Sequence, residues 1–328
     1  MRIRLLGTAA GGGVPQWNCN CLICREARVS TGRVRPRTQS SVAISADDQH
    51  WFLLNASPDI RAQIEAFPPL QPPGQLIRGS PIQAVLLTNA DLDHTLGLFL
   101  LREGTKLRVH ATSAVRQSLT EGISLTSTLS SFCGIEWVCP PSKPSSLLNP
   151  DGSHSGLFYQ ALPLVGLPPR FEKLSRDGLP ISDRAHKPAA AQRQLEGRSP
   201  SPDHVVGYRF VDSHTGGRLV FLPDVPAMDQ TLKSWLADCD VLLFDGTFWA
   251  ENEMQECGVA AGPASSMGHV PISGPVGSLA VLKELKISQK VYIHINNTNP
   301  VLLENSAERA AVLAAGCTVG HDGMDLSV

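Results

Sequence analysis

The amino-acid sequence predicts an α/β fold in which helices cover two stacked β-sheets, an αββα sandwich. Short apolar runs rich in β-branched and aliphatic residues recur along the chain and are typical of buried strands. Segments with helical periodicity are fewer, and several begin with Ser, Thr or Asp as candidate N-caps. Because strand-like runs precede several of these segments, we expect sheets faced by helices rather than an all-β barrel.

The predicted elements follow one another along a single domain, residues 1–328. The predicted strands are Ile3–Leu6, Ser41–Ser45, Trp51–Leu54, Ala84–Thr88, Leu107–His110, Leu157–Leu164, Val205–Val211, Leu219–Leu222, Val241–Phe244 and Val291–Ile295. The predicted helices are Asp59–Phe67, Gly97–Arg102, Thr112–Leu119, Met228–Ala237, Gly277–Leu285 and Ser306–Ala315. Apart from its one strand, the Pro/Ser-rich stretch from Pro140 to Pro202 is predicted to be an insertion that crosses one face.

Composition limits the classes of partner. Lys plus Arg (28) nearly balances Asp plus Glu (30), so no basic field predicts binding to nucleic acid or to an anionic membrane surface. The N-terminal apolar run is too short for a signal peptide, and no segment approaches the ~20 apolar residues of a membrane span. We therefore expect a cytoplasmic protein that acts on a small-molecule or peptide substrate. The sequence does not fix the oligomeric state, and a homodimer stays open.

Three cysteines crowd into the run Cys19-Asn20-Cys21-Leu22-Ile23-Cys24, shortly after Gly11-Gly12-Gly13. Thiolates at a Cys-x-Cys-x-x-Cys spacing can converge on one tetrahedral zinc ion, about 2.3 Å from each sulfur. The upstream glycines allow the backbone to turn sharply between the first strand and this loop. Apolar burial rarely selects three cysteines so close together, so the sequence favours a structural zinc site over three ordinary buried cysteines. A fourth ligand has to come from elsewhere.

Asp91, Asp93 and His94 lie in a turn between a predicted strand and a predicted helix. Open α/β sheets build their sites at the carboxyl ends of strands, and carboxylates with imidazoles suit iron, manganese or zinc. A solvated turn in which an aspartate caps the helix is the simpler interpretation. Compatible donors at further strand ends and loops argue for a site instead: Asp224, Asp245, His269 and His294.

In this order, these elements resemble the metallo-β-lactamase superfamily. Within it, the sequence is similar to the family of pyrroloquinoline quinone (PQQ) synthesis protein B, in four blocks that span both ends of the chain: Gly7–Cys19, Asn55–Arg61, Thr88–His94 and Ile293–Pro300. The resemblance implies a metallo-β-lactamase-like αββα sandwich.

The resemblance also implies an active-site metal and its ligands: Asp93, His94, Asp224 and His294. Asn89 and Asp91 stand where the superfamily carries the two histidines of a first metal site, and Asn55 stands where it usually carries an aspartate. A further superfamily histidine has no clear match, although His204 lies nearby. We therefore do not expect a dinuclear hydrolytic centre.

For the structural zinc, the resemblance places the fourth ligand three residues after the last active-site histidine. In this sequence that residue is Asn297, an oxygen donor. His321, His269 or water stay open as alternatives.

For this family the resemblance implies a role in making PQQ from a crosslinked Glu–Tyr precursor, with oxygen-dependent hydroxylation of the tyrosine ring as the expected step. His94, His294 and one carboxylate reproduce the two-His-one-carboxylate set of iron(II) oxygenases, so iron(II) is the predicted active-site cofactor. We predict that His269 moves protons to or from the phenol from outside the metal ligands, and that Asp91 completes the catalytic set. A packing role for His269 stays open.

Two other functions remain open from the sequence. The fold would suit a metal-dependent hydrolase that acts on phosphodiesters through a metal-bound hydroxide. The altered ligand set would also suit a non-catalytic carrier that binds PQQ or its precursor for transport, in which Arg61 or Arg209 would meet the acidic groups of the cargo.

Overall fold

The computed structural model describes residues 1–29, 31–74, 76–172, 201–259 and 262–328. These residues form two seven-stranded sheets, with the strand orders β14-β1-β2-β3-β4-β5-β6 and β13-β12-β11-β10-β9-β8-β7. The strands are β1 (Arg2–Gly7), β2 (Ser41–Ser45), β3 (Trp51–Leu54), β4 (Ile82–Leu86), β5 (Leu107–His110), β6 (Ile135–Val138), β7 (Ser145–Leu148), β8 (His154–Gly166), β9 (Ser201–Asp212), β10 (Arg218–Leu222), β11 (Val241–Asp245), β12 (Gln289–Ile293), β13 (Thr318–Val319) and β14 (Asp325–Ser327).

The helices are short and lie mostly on the outer faces. They are α1 (Leu22–Arg28), α2 (Ile60–Glu65), α3 (Leu92–Thr95), α4 (Gly97–Leu100), α5 (Ser113–Gln117), α6 (Leu125–Ser130), α7 (Gln230–Leu236), α8 (Glu253–Glu256), α9 (Ser278–Glu284) and α10 (Ala307–Ala314). Single turns of 3₁₀ helix lie at Pro68–Leu70, Ala264–Met267 and Pro300–Leu302, and a π-helical turn lies at Ser118–Gly122. Among the described residues, none of the helices has the length and apolar character that crossing a membrane requires.

Both sheets are mixed. The strands β3 to β6 run parallel in the first sheet, and β10 to β13 run parallel in the second. Antiparallel strands complete each sheet. Because the carboxyl ends of parallel strands meet at one edge of a sheet, loops from distant parts of the chain gather there.

Three apolar layers hold the sandwich together. The central layer joins the two sheets and includes Ile44 of the first sheet and Phe221 of the second. The outer face of the first sheet packs against helices through residues such as Leu98, and the outer face of the second does so through residues such as Leu232. Each large side chain buried in this way stabilises the fold by roughly 1.5–3 kcal/mol. The predicted αββα sandwich is confirmed.

All ten predicted strands are present, with ends shifted by a few residues, and so are all six predicted helices. The sequence analysis missed the strands β6, β7, β13 and β14, and the helices α1, α3, α6 and α8. These elements have two to seven residues, and their apolar residues form no run or period that stands out from the flanking sequence.

The predicted insertion at about 140–202 differs from the structure. Besides the predicted strand, which extends to His154–Gly166, this stretch contains the edge strand β7 and the start of β9. An edge strand tolerates Pro and Ser beside it because one side of its backbone needs no partner strand, so composition alone suggested an irregular segment. Residues 173–200 lie outside the described residues. The single-domain assignment stays a prediction.

Candidate metal centre

The first sheet contributes the turn that follows β4. Asn89 Oδ1 accepts a hydrogen bond from the backbone N–H of Asp91 (2.9 Å), and α3 begins at the next residue. The Asp91 side chain does not cap this helix, so the simple N-cap interpretation fails. The turn and the first residues of α3 direct Asp93 and His94 toward the second sheet, and His94 is fully buried.

The second sheet contributes residues that follow three neighbouring parallel strands. Asp224 follows β10, Asp245 ends β11, and His294 comes directly after β12. His269 reaches the same place from the loop after the turn at Ala264–Met267. His294 adopts a left-handed backbone conformation (φ 53°), which turns its ring from the strand direction toward the gap between the sheets.

These side chains converge between the sheet edges. His294 Nε2 lies 3.2 Å from Asp93 Oδ2 and 3.9 Å from Asp224 Oδ1, although Asp93 and His294 are 201 residues apart in the sequence. His94 Nε2 lies 3.8 Å from Asp93 Oδ2, and His269 Nε2 lies 3.9 Å from Asp224 Oδ1. Two overlapping sets of donors, which share His294, could each hold an ion: Asp93, His94 and His294, and Asp224, His269 and His294.

The donor set fits a divalent metal ion. His94 Nε2 is buried and has no hydrogen-bond partner within the described part of the chain, although it faces the carboxylates of the site. An unpaired buried nitrogen is costly, and a metal ion would satisfy it. The same place offers several imidazoles and two carboxylates, which are the ligands that first-row metals use in proteins.

Each of the three imidazole rings is held from its other nitrogen. His94 Nδ1 contacts Thr88 Oγ1 (3.2 Å), which in turn is held by Asn55 Nδ2 (3.0 Å). His269 Nδ1 lies 2.8 Å from Asp245 Oδ2, and His294 Nδ1 lies 2.8 Å from Thr247 Oγ1. Such contacts behind the ring fix its orientation, so each Nε2 is left to face the site.

Burial disfavours the charged forms of the site residues, but their neighbours of opposite charge favour these forms. Burial disfavours an ionised Asp93, but His94 and His294 outweigh it and hold the pKa of that carboxyl far below its usual range. Burial lowers the pKa of His294, but Asp224, Asp93 and Asp245 outweigh it and raise that pKa to about 9. The site thus has an excess of carboxylates, and a cation would balance this charge.

Asp91 lies at the rim of the site and is exposed. Its pKa is raised to about 6 by burial and by the like charges of Asp93 and Asp224. Since the residue as a whole is exposed to solvent, we assign more of this shift to the neighbouring carboxylates than to burial. A carboxyl group of this kind can exchange protons near neutral pH.

Asn89 occupies one oxygen of Asp224. Its Nδ2 donates a hydrogen bond of 3.0 Å to Asp224 Oδ2, and both side chains are buried. By its resemblance to the superfamily, Asp224 is the counterpart of an aspartate that bridges two ions, and here one of its two oxygens is already hydrogen-bonded to Asn89. By the same resemblance, Asn89 occupies the position of a histidine that would bind the second ion. Its amide group has no ring nitrogen to offer a metal ion, so it cannot replace that histidine.

The three thiols of Cys19, Cys21 and Cys24 form a second cluster. The side-chain amide of Asn297 points into it, and its Nδ2 lies 3.1, 3.7 and 3.3 Å from the three sulfurs in that order. Two ligands of a tetrahedral zinc ion, one sulfur and one oxygen, lie roughly 3.5 Å apart. Rotation of the amide group by half a turn would place Oδ1 at this position, and the two orientations have the same shape.

The thiol cluster also fits a divalent cation by its charge. Burial opposes ionisation of Cys19, but hydrogen bonds from the Cys21 backbone, the neighbouring thiols and Asn297 lower the pKa of its thiol. Burial and the neighbouring sulfurs raise the pKa of Cys21 to about 12. The two neighbouring thiols thus shift in opposite directions, and a bound cation would offset the repulsion between their thiolates.

The two clusters are linked by short stretches of backbone. His294 and Asn297 belong to one segment after β12, and Ile295 of this segment pairs with Ala9 as an isolated bridge. On the other side, Gly11 packs beside Asp93, because a Cβ atom added to Gly11 would lie 3.4 Å from Asp93 Oδ2. The loop that carries the cysteines thus contacts the active site at two places.

The structure brings most of the predicted site residues together, with one correction. His269 was expected behind the metal ligands, but its Nδ1 contact with Asp245 turns Nε2 into the site itself. Among the described residues, His204 is not part of either donor set, and Nδ1 of His321 contacts the backbone oxygen of Asp322 rather than the thiols. Arg209 is engaged by Asp238, which precedes β11.

Sequence reasoning missed the hydroxyls of Thr88 and Thr247, which contact the site histidines. Thr247 could have been suspected from its position two residues after Asp245, at the end of a predicted strand. For Thr88 the only signal was its place at a strand end, which many structural threonines share.

Comparisons with known proteins identify the relatives of the chain. Residues 50–295 match the family described as "Beta-lactamase superfamily domain". The chain is 41% identical over 326 residues to "Coenzyme PQQ synthesis protein B" of Ectopseudomonas mendocina, which covers 99% of each chain. It is 42% identical over 329 residues to the protein of the same name from Azotobacter vinelandii, which covers 100% of each chain. The crystal structure of Zn²⁺-bound PqqB from Methylobacterium extorquens is 37% identical and superposes with a TM-score of 0.84 over 100% of both chains.

Proposed function

The chain belongs to the family of coenzyme PQQ synthesis protein B, within the β-lactamase superfamily, and on this premise we propose that it hydroxylates the tyrosine ring of a peptide-derived PQQ precursor at a single iron(II) ion. Its place in PQQ biosynthesis follows from full-length similarity to proteins of that name. The reaction and the identity of the active-site metal are the parts that need testing.

The hydrogen bond from Asn89 to Asp224 carries the proposal. It uses one of the two oxygens of Asp224, so we assign a single ion to the site. His94, His294 and the carboxylate of Asp93 lie within reach of that ion, and Asp224 is the further ligand that the family resemblance implies. Metal-dependent hydrolysis of phosphodiesters in two-metal sites depends on a pair of ions that holds both the attacking and the leaving oxygen. Two imidazoles and a carboxylate on one ion are instead the set found in iron(II) oxygenases.

The proposed step converts a phenol to a catechol. One oxygen atom of O₂ replaces the ring hydrogen as a hydroxyl group, and the other leaves as water, which needs two electrons and two protons from outside. We assign the electrons to an external reductant such as ascorbate. When bound, iron(II) would supply the activation of O₂ that a protein side chain cannot provide.

The protein's own residues would orient the phenol and move its protons. His269 Nε2 faces the site, so a phenol beside the ion could pass its proton to this nitrogen. Burial lowers the pKa of His269, but Asp245 and Asp224 outweigh it and raise that pKa above its usual value. Asp91, exposed at the rim, would pass the proton on to solvent.

We assign the second cluster to a structural zinc ion, with Cys19, Cys21, Cys24 and Asn297 as its ligands. The near-tetrahedral spacing of the Asn297 amide and the three sulfurs supports this assignment. PqqB from Methylobacterium extorquens, whose crystal structure is Zn²⁺-bound, gives independent support for zinc in this family.

The decisive experiment measures oxygen consumption. Protein reconstituted anaerobically with iron(II) is mixed with a tyrosine-containing Glu–Tyr precursor, ascorbate and O₂, and the product is analysed by mass spectrometry. We expect a product one oxygen atom heavier and one O₂ consumed for each molecule of product. His94→Ala should abolish both.

His50→Ala is the matched control, because His50 is exposed in the turn that precedes β3, at the end of the strand away from the site. It should react like the unchanged protein. Turnover by His94→Ala at the unchanged rate would exclude the proposal. Tight PQQ binding by metal-free protein, together with no oxygen consumption, would replace it with a carrier function.

A further inference from the structure

Thr247 lies at the centre of the contacts behind the site. Its Oγ1 is 2.7 Å from Asp245 Oδ1, 2.8 Å from His294 Nδ1 and 3.2 Å from His269 Nδ1, and the residue is 2% exposed. The backbone oxygen of His294 also lies 2.8 Å from the same hydroxyl. One hydroxyl therefore touches both histidines that the second sheet contributes.

The direction of these hydrogen bonds follows from the groups around Asp245. Its Oδ1 accepts the backbone N–H of Thr247 (3.0 Å), and its Oδ2 accepts the backbone N–H of Val225 (2.8 Å). A backbone N–H can only donate, so both carboxylate oxygens act as acceptors. The carboxylate is a stronger acceptor than a backbone carbonyl, so the Thr247 hydroxyl donates to Asp245.

Once its hydrogen points to Asp245, the hydroxyl offers only lone pairs to the rings. His294 must then carry a hydrogen on Nδ1 and keep its Nε2 lone pair for the site. His269 is fixed in the same form by its Nδ1 contact with Asp245 Oδ2 (2.8 Å). If the hydroxyl pointed the other way, it would donate to His294 Nδ1, and the ring hydrogen of the neutral imidazole would move to Nε2, where a metal ion has to bind.

We infer that Asp245 and Thr247 are a shared positioning pair, which sets the tautomer and orientation of His269 and His294 together. Neither residue belongs to the two donor sets of the site. The inference rests on the metal site of the proposed function, but it does not depend on which reaction the site performs.

The comparison of Thr247→Val with Thr247→Ser tests this inference. Valine keeps the shape of threonine and removes the hydroxyl, whereas serine keeps the hydroxyl. Zn²⁺ affinity of the active site is measured by competition with a chelator, under conditions that leave the thiol cluster loaded. We expect Thr247→Val to bind Zn²⁺ roughly 10- to 100-fold more weakly and Thr247→Ser to bind it within a few-fold of the unchanged protein.

A second readout follows the ring hydrogen itself. In the Zn²⁺-loaded protein, the Nδ1–H of His294 should give a slowly exchanging proton resonance, because it is buried against Thr247. This signal should remain in Thr247→Ser and disappear in Thr247→Val. Thr126→Val is the matched control: its hydroxyl accepts from Trp137 Nε1 on the first sheet, and both readouts should remain unchanged.

Asp245→Asn gives the strongest form of the test, because an amide N–H in place of Oδ2 would donate to His269 Nδ1 and force the wrong tautomer. If this variant does not fold, the threonine variants still decide. Equal Zn²⁺ affinity and an equal Nδ1–H signal in Thr247→Val and Thr247→Ser would overturn the inference. A failure of hydroxylation alone would overturn only the proposed reaction, because neither readout measures turnover.

Discussion

His294 has an unusual backbone conformation for its residue type. Its φ of 53° lies in the left-handed region, which costs a non-glycine residue about 1–2 kcal/mol. Neighbouring hydrogen bonds hold it there: Ile295 N–H donates to Thr8, Asn296 N–H donates to Thr247, and the Thr247 hydroxyl lies 2.8 Å from the His294 oxygen. This strained conformation interrupts the alternating side-chain directions of the strand and points the His294 ring into the gap between the sheets.

Glu253 is a buried acid outside the metal centre. Its Oε2 accepts the Trp249 N–H (2.6 Å) and its Oε1 accepts the Thr298 hydroxyl (2.5 Å). Burial raises its pKa from 4.5 to about 7, against these hydrogen bonds. The folded chain therefore holds this proton more tightly than the unfolded chain does, so the stability that the protonated acid contributes is complete below pH 4.5 and is lost as pH rises through about 7.

We predict that Glu253→Gln removes this pH dependence. The variant cannot ionise, so its free energy of unfolding relative to the unchanged protein should become more favourable between pH 5 and pH 8, by roughly 2–3 kcal/mol. Urea unfolding of both zinc-loaded proteins at the two pH values measures the difference. Glu121→Gln, at an exposed position, should leave the difference near zero. If the difference in free energy of unfolding between Glu253→Gln and the unchanged protein were the same at both pH values, the assigned pKa would be contradicted.

At the residue level, the sequence predicted donors but not the contacts behind them. Carboxylates and imidazoles at strand ends indicated a site, and the resemblance to a family implied that Asp93, His94, Asp224 and His294 are its metal ligands. Thr247 and Thr88 could not be chosen, since a threonine hydroxyl is informative only when its tertiary neighbours are known. The sequence also singled out His269, but the direction of its ring depends on the contact of Nδ1 with Asp245, which the sequence does not reveal.

Among the elements, the short helical pair α3 and α4 positions the first-sheet ligands. Gly97 begins α4 and packs against the chain that follows β3, where its N–H donates to the Ala56 oxygen (2.9 Å). A Cβ atom added at Gly97 would meet the oxygen of Ser57 at 2.4 Å and that of Ala56 at 2.6 Å, both backbone atoms. The Ala56 N–H in turn donates to the oxygen of His94 (2.8 Å), so the same contact holds the ligand in place.

We predict that Gly97→Ala displaces α3 and weakens the active site. The backbone clash should lower the free energy of unfolding by about 1–3 kcal/mol and also reduce active-site Zn²⁺ affinity, because Asp93 and His94 move with the helix. Urea unfolding and chelator competition measure the two effects. The control is Gly104→Ala, where the added Cβ meets only the Leu101 oxygen at 3.6 Å. A variant that loses stability but keeps the affinity would show that α3 does not move.

The elements that the sequence missed share a physical reason. α3 has four residues, less than two turns, so no apolar face repeats within it. The edge strand β7 has the burial pattern of a half-exposed segment with only one buried residue, so it does not stand out as a buried apolar run. Longer strands such as β2, buried along its whole length, gave clear apolar runs because both of their faces are covered.

For the molecule as a whole, the site exists only where the two sheets meet. Asp93 and His94 come from the first sheet, and Asp224, His269 and His294 come with the second. The fold class could be predicted because strand and helix patterns persist over the chain. The pairing of the two edges could be expected only through the resemblance to a family, since single-sequence patterns do not specify which strand ends face each other.

We predict that loss of the proposed structural zinc weakens metal binding at the neighbouring site. Cys21→Ser should lower the thermal midpoint, reduce the zinc content by one ion per chain, and raise the dissociation constant of the active-site metal by roughly 5- to 150-fold. The reason is that Asn297 and His294 share one segment, while Gly11 packs beside Asp93. Metal analysis, thermal unfolding and chelator competition measure the three effects.

Cys139→Ser is the control for this prediction, because Cys139 is an exposed thiol at the end of β6. It should change none of the three quantities. An active-site affinity unchanged in Cys21→Ser, despite the loss of one zinc ion, would mean that the segment keeps its conformation without the thiol cluster.

The segment from His294 to Asn297 also implies a sequence of events while the protein matures in the cell. A newly made chain that has not yet taken up zinc at the thiol cluster would present His294 on an unanchored backbone and bind the second metal ion poorly, however much of that metal surrounds it. Zinc supply would then limit how much of the protein becomes fully loaded. If the second metal is iron, as proposed, cultures starved of zinc but rich in iron should yield protein depleted in both metals.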